Sequence, residues 1–253
     1  MGEVRLAYMS WRGAESYFSG NDIALLPVGS TEQHGPHNPL GTDHLIAYAL
    51  ALEASRRTGV AVLPPVPFGV SSHHSAFPGT VWVREEVFKE YVRDVILSLK
   101  RHGVRRVVVV NGHGGNLGAL LSLARELRGE GILVVVFQWW TLPELGKLFA
   151  REELGHAASA ETSLNLFLHG EAVDMCSAVD EKPAELPTDG LAHFPEMTRD
   201  RTRSGVFGVS RTASRERGAQ AFEAAVGALV NLVERLKGLD VSAYCGEAAL
   251  SSG

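Results

Sequence analysis

Apolar positions along this chain follow two different periods. Ile23–Val28 is a short continuous apolar run, which predicts a buried strand. Residues 44–57 carry Leu45, Ala49, Leu52 and Ala54 at helical spacing and close on Arg56 and Arg57. Residues 60–63 read as a second strand, stopped by Pro64 and Pro65. Over 85–102, Val87, Tyr91, Val95 and Leu99 recur every fourth position, and Gly103 follows as a C-terminal cap. The β-branched run Val107 to Val110 makes 105–110 the strongest predicted strand. A helix over 117–128, a strand over 132–137 and helices over 162–169 and 214–237 complete the series. Residues 174–210 hold Pro183, Pro187 and Pro195 and read as loops and short strands.

Strands alternating with helices predict βαβ units and a mostly parallel sheet. Strands without polar alternation fit a sheet covered on both faces. The expected architecture is one three-layer α/β/α domain over residues 1–253, with ligands beyond the carboxyl ends of the strands.

Composition narrows the class. The 253 residues are 45% hydrophobic and 21% charged, with a net charge of -5, which excludes global disorder. With 24 basic against 29 acidic side chains there is no basic footprint, so no nucleic-acid partner is expected. Cys176 and Cys245 form neither a disulfide framework nor a zinc ribbon. The first residues lack the basic segment and apolar core of a signal peptide, and the apolar stretch at 132–142 is too short to span a bilayer. A cytoplasmic location without membrane attachment is the expectation.

Candidate chemistry lies in the loops that follow the strands. After the first strand come Glu32, His34, His37 and Asp43 in a Gly- and Pro-shaped segment. Glu32 and His34 are two residues apart, so extended backbone points both the same way. Glutamate, histidine and aspartate together suit Zn, Mn or Fe. Taken singly, Asp43 reads equally well as a helix cap and Glu32 as a solvated loop residue. The loop after the valine strand, Asn111-Gly-His113-Gly-Gly115-Asn116, lets backbone approach a ligand closely, with Asn116 as a candidate N-cap. It lacks the GxxxxGK[ST] phosphate cradle, the chain has no G-x-S-x-G elbow, and the first strand is not followed by G-x-G-x-x-G. His156 and Glu161 enter a helix whose dipole favours a carboxylate, and on its own that segment asks for nothing more. His73 and His74 could hydrogen-bond metal ligands. His102 and His169 read as dipole partners at helix ends, His193 is undecided, and Trp139 and Trp140 read first as packing residues.

Taken in order, Gly29-Ser-Thr-Glu32-Gln-His34-Gly-Pro-His37, Thr42-Asp43, Phe77-Pro-Gly-Thr80, Asn111-Gly-His113-Gly-Gly-Asn116 and His156 to Glu161-Thr-Ser resemble the creatininase (creatinine amidohydrolase) family. The resemblance implies a dinuclear metal amidohydrolase of α/β fold, a homohexamer, acting on a small-molecule amide such as a creatinine-like cyclic amide. It implies two divalent ions per subunit sharing a bridging hydroxide. Glu32, Asp43 and His113 would hold one ion, and His34, Asp43 and Glu161 the other. His156 would transfer protons, with Glu161 beside it in the catalytic set. His37, Ser72, His73, His74, Asn111, Asn116 and Trp140 are assigned to the surroundings of the ligands or the substrate pocket. One position departs: creatininases have a glutamate two residues after the motif histidine, where this chain has Gly115. The glycine version is similar to relatives with other substrates, the peptidase of mycofactocin maturation and an archaeal formylaminopyrimidine nucleotide deformylase. A non-catalytic metal- or ligand-binding protein on the same fold is the reading from another class.

Overall fold

The computed structural model describes residues 2–188, 192 and 194–245; His193 lies outside them. The elements in chain order are α1 (Trp11–Phe18), β1 (Ile23–Val28), α2 (Thr42–Thr58), β2 (Ala61–Val62), α3 (Glu85–Lys100), β3 (Arg106–Asn111), α4 (Leu117–Gly129), β4 (Leu133–Gln138), α5 (Ser159–His169), α6 (Thr198–Arg201) and α7 (Arg215–Lys237). The four strands form a parallel sheet in the order β2-β1-β3-β4. In register, Leu25 stands beside Val62 on one side and Val108 on the other. Val108 continues to Val135.

Because side chains alternate along a strand, the central strands feed two separate cores. Leu25, Val108 and Val110 meet Ile46 and Leu50 of α2, Leu164 of α5 and Leu229 and Val233 of α7. Leu26, Val107 and Val109 meet Phe88, Val92 and Ile96 of α3 and Leu120, Leu123 and Leu127 of α4. Helices therefore cover both faces, which gives the expected α/β/α layering and explains the unbroken apolar strands. Among the described residues, no helix is long and apolar enough to cross a membrane.

Several boundaries differ from the sequence reading. The short helix α1 was not anticipated; Ser10 caps it by accepting from Gly13 N at 3.2 Å, and it buries no side chain fully. A helix that contributes so little to the core leaves only a weak periodic signal. Helix α2 begins at Thr42, so Asp43 lies in its first turn and does not cap it. Helix α5 begins at Ser159, which places Glu161 in its first turn. Among the described residues of 174–210 there is no strand. That segment holds one isolated bridge between Glu181 and Gly208, a short turn at Met175–Ser177 and helix α6. Its prolines remove backbone donors that a strand ladder would need.

Candidate metal centre

The loops after β1, β3 and β4 converge at the carboxyl ends of the strands on a cavity of about 330 Å³. Its lining includes Glu32, Asp43, His73, His74, His113, Trp139, Trp140, His156, Glu161, Glu196, Thr198 and Phe207. The start of α2 is pressed against the end of β3. A Cβ on Gly112 would collide with the Asp43 carbonyl oxygen, so glycine there is what lets Asp43 reach the cavity floor.

Each of two imidazoles commits one nitrogen to a backbone carbonyl and turns the other inward. His34 Nδ1 donates to Glu32 O at 3.1 Å, leaving Nε2 at 3.0 Å from Asp43 Oδ1 and 3.8 Å from Glu161 Oε2. His113 Nε2 donates to Val70 O at 3.0 Å, leaving Nδ1 at 3.1 Å from Glu32 Oε1 and 3.2 Å from Asp43 Oδ2. Donor atoms of Glu32, Asp43 and His113 all lie within 4.8 Å of one another, as do those of His34, Asp43 and Glu161. The Asp43 carboxylate belongs to both groups. Glu32, His34 and His156 form a third such group.

Electrostatics show what this centre accepts. Both Glu32 carboxylate oxygens, His34 Nε2 and Asp43 Oδ2 are buried without a hydrogen-bond partner of adequate geometry. Such groups are costly unless a cation or a proton lies between them. Burial, then the Asp43 charge, pushes the Glu32 carboxyl up. Burial pushes Glu161 to about 7, with Asp43 adding to the rise and His34 opposing it. Burial acts against charge on His34, but Asp43, Glu161 and Glu32 outweigh it and raise the ring to about 10. Burial opposes charge on His113 too, and Glu32 and Asp43 outweigh it. Asp43, despite burial, is held well below the carboxylate range by His34 and His113. These neighbours favour protonated His34 and His113 rings beside the carboxylates. Metal binding displaces such protons. Two imidazole nitrogens and three carboxylates, one of them shared, fit a pair of divalent ions of the Zn, Mn or Fe type.

The neighbouring residues divide into those that touch the centre and those that do not. His74 is buried, with Nε2 at 3.2 Å from Glu32 Oε1, and burial followed by the neighbouring histidines pushes its pKa far down. His73 lines the cavity and stacks against His113 at 5.7 Å between ring centroids. Burial, then the His113 charge, lowers its pKa to about 4. His156 Nε2 lies 2.9 Å from Gln33 O, and Nδ1 faces Glu32 Oε1 at 4.0 Å. Burial and the His34 charge push the His156 ring well below its ordinary value. Asn111 Nδ2 donates to His113 O at 2.7 Å and steadies that loop. Asn116 does not cap α4. Its Oδ1 accepts from Val70 N at 2.9 Å and its Nδ2 donates to Gly29 O at 3.1 Å, which ties three loops together. Trp140 lines the cavity, whereas Trp139 is both core and wall. His37 is buried behind the centre, 2.9 Å from Thr162 Oγ1, and does not line the cavity. Ser72 is exposed and also absent from the lining, because the tight turn Ser72–His74 turns it outward. Ser71 is buried in its place and accepts from Ser30 Oγ at 2.8 Å.

Sequence reasoning missed Gln33, Glu196, Thr198 and Phe207. The Gln33 amide lies 2.9 Å from His74 Nδ1 and 2.8 Å from His156 Nε2. Thr198 Oγ1 lies 2.8 Å from His74 Nδ1. Gln33 stood inside the recognised motif, and its contacts alone were hidden. The other three come from the irregular segment, where no pattern marked them. At Gly115 a Cβ would run into the Val70 carbonyl oxygen and lie 2.5 Å from His113 Nε2, so this backbone has no room for a side chain.

Comparison with known proteins gives the same direction. The creatininase (creatinine amidohydrolase) family profile matches residues 7–233. The creatinine amidohydrolase of Pseudomonas putida is 32% identical over 252 residues, covering 91% of this chain and 96% of that protein. The mycofactocin precursor peptide peptidase of Mycobacterium ulcerans is 34% identical over 230 residues, covering 83% and 84%. A crystal structure of creatininase superposes with a TM-score of 0.82 at 31% identity, covering 94% of this chain and 99% of that one. Further creatininase structures that match include a manganese form and a Zn-Zn form. With its strand-end histidines and carboxylates, its parallel sheet and this likeness along nearly its whole length, the chain belongs to the creatininase family.

Proposed function

We propose that this protein is a dinuclear-metal amidohydrolase that cleaves the C–N bond of a small amide. Its family contains hydrolases of amide C–N bonds, and relatives include a creatinine amidohydrolase and a peptidase. The observation that carries the two-ion reading is the pair of overlapping donor groups sharing Asp43, with unpartnered buried lone pairs directed between them. Glu32, Asp43 and His113 hold one ion, and His34, Asp43 and Glu161 hold the other. When bound, such a pair supplies Lewis-acid polarisation of a carbonyl and a nucleophilic water at neutral pH.

The chain's own residues do the rest. The Glu32 and Val70 carbonyls fix the tautomers of His34 and His113, so each offers an inward lone pair. His156, held at Nε2 by Gln33, presents Nδ1 to the cavity and carries a proton to the leaving nitrogen. Trp139, Trp140 and Phe207 wall the cavity and keep bulk water from the reacting bond.

The test combines metal analysis of the purified chain with an amide panel of creatinine, other cyclic amides, short peptides and formamidopyrimidines. Two ions per chain and turnover of one panel member are expected, with both lost in Glu32→Ala. An unaltered metal content and rate in that variant refutes the reading. A wild type with one ion or none and no turnover points instead to a non-catalytic binding protein.

A further inference from the structure

The second donor group joins carboxylates from two helices, Asp43 of α2 and Glu161 of α5. Like charges drawn together repel. His34 lies beside both carboxylates and offsets part of that repulsion, but the helix starts that carry them must also be held in place.

A buried polar network does so. Asn165 Nδ2 donates to Asn38 Oδ1 at 3.1 Å and to Thr42 Oγ1 at 2.9 Å. Asn38 Nδ2 donates to Thr162 Oγ1 at 2.9 Å. The threonine hydroxyls donate onward, Thr42 to Pro39 O at 2.7 Å and Thr162 to Ala158 O at 2.9 Å. Thr42, Thr162 and Asn165 are fully buried, Asn38 nearly so, and none lines the cavity. Thr42 directly precedes Asp43, and Thr162 directly follows Glu161. The chain of bonds therefore runs from the neighbour of one carboxylate to the neighbour of the other.

Two details show that the arrangement is maintained against a cost. Asn165 Oδ1 is buried and accepts no hydrogen bond. An apolar side chain of similar size would avoid that penalty, so the amide's value lies in its two donations. Ala157 is, among the described residues, the only non-glycine residue with a positive φ, at 56°. Left-handed backbone is unfavourable for alanine, and here it directs the Ala157 N–H to Glu161 Oε2 at 2.6 Å. Glu161 is thus steadied through its own carboxylate and through its helix.

We propose that Asn165 and Asn38 are positioning residues that set the spacing of Asp43 and Glu161 and thereby the affinity of the second ion, the one shared by His34, Asp43 and Glu161. This rests on the two-ion reading above. The first ion, held by Glu32, Asp43 and His113, does not use Glu161 and feels the network only through Asp43, whose backbone is also pressed against Gly112 at the end of β3, so it is weakened less.

The experiment titrates Zn2+ into the full chain after chelator treatment, followed by calorimetry and by metal analysis after desalting. Wild type is expected to take two ions. Asn165→Leu is expected to keep one tight ion and to weaken the other by about 10- to 100-fold, the usual effect of losing a group that orients a ligand. The double variant Asn38→Leu with Asn165→Leu leaves neither amide unpaired. It is expected to unfold thermally near wild type while showing the same selective loss, and it carries the test if the single variant does not fold. Equal affinity for both ions in these variants, or equal weakening of both, overturns the proposal. A wild type that takes fewer than two ions instead removes the two-ion reading, a separate outcome.

Discussion

Replacing Gly115 by alanine probes how tightly the loop after β3 is packed. The added Cβ meets the Val70 carbonyl oxygen, the same atom that accepts from His113 Nε2 at 3.0 Å. The substitution therefore strains backbone against backbone and disturbs the bond that aims His113 Nδ1 at Glu32 and Asp43. Overpacking of this kind costs about 1–3 kcal/mol. In a domain of this size each kcal/mol lowers Tm by about 2–4 °C, so a fall of about 2–12 °C is expected. Losing the outer partner of a ligating imidazole weakens metal binding by about 10- to 100-fold. That equals about 1.4–2.7 kcal/mol. Thermal unfolding of chelator-treated protein reads the first effect and Zn2+ titration reads the second. Gly115→Glu starts from the same collision with a longer side chain, so at least as large a fall in Tm is expected. A Gly115→Ala protein with wild-type Tm and undiminished zinc affinity would refute the reasoning.

His156→Ala should retain both ions and lose about 10²- to 10⁴-fold in kcat on whichever panel amide is turned over, measured by steady-state kinetics. A variant as fast as wild type removes His156 from proton transfer. Glu153 accepts from Arg217 at 2.9 and 2.7 Å, and chiefly through those bonds its carboxyl is held at about 2, below its ordinary value of 4.5, despite burial. Its contribution is therefore complete above about pH 4.5 and disappears as pH falls towards 2. Denaturant unfolding of Glu153→Gln should show a loss of about 1.5–3 kcal/mol at pH 7 that shrinks across this window. A deficit independent of pH would contradict the assignment. Leu229 of α7 is fully buried against the sheet, and Leu229→Ala should cost about 2–5 kcal/mol in the same assay. A much smaller loss means that the core collapses around the site.

Much of this protein was legible before its structure. The four strands and the long helices follow from local periodicity, and Glu32, His34, Asp43 and His113 stood out as donors in loops that follow strands. The likeness to a known family added Glu161 and His156, which the residues themselves did not demand. A carboxylate in the first turn of a helix has an ordinary explanation in the helix dipole, so nothing local marks Glu161. The turn at Ser72–His74 leaves Ser72 exposed outside the cavity, and His37 lies behind the centre against Thr162, the neighbour of Glu161.

The sequence alone determined which segments become strands and helices, that the sheet is parallel and covered on both faces, and which donor types gather at strand ends. These depend on residues within a turn or two of one another. Only the tertiary structure decided that Asp43 belongs to two donor groups, that Val70 closes the space beside Gly115, that Thr198 and Phe207 wall the cavity, and that Asn165 bonds across to Asn38. Each of those contacts joins residues far apart along the chain. Their meeting is set by how helices dock on the sheet, and no local pattern records that docking.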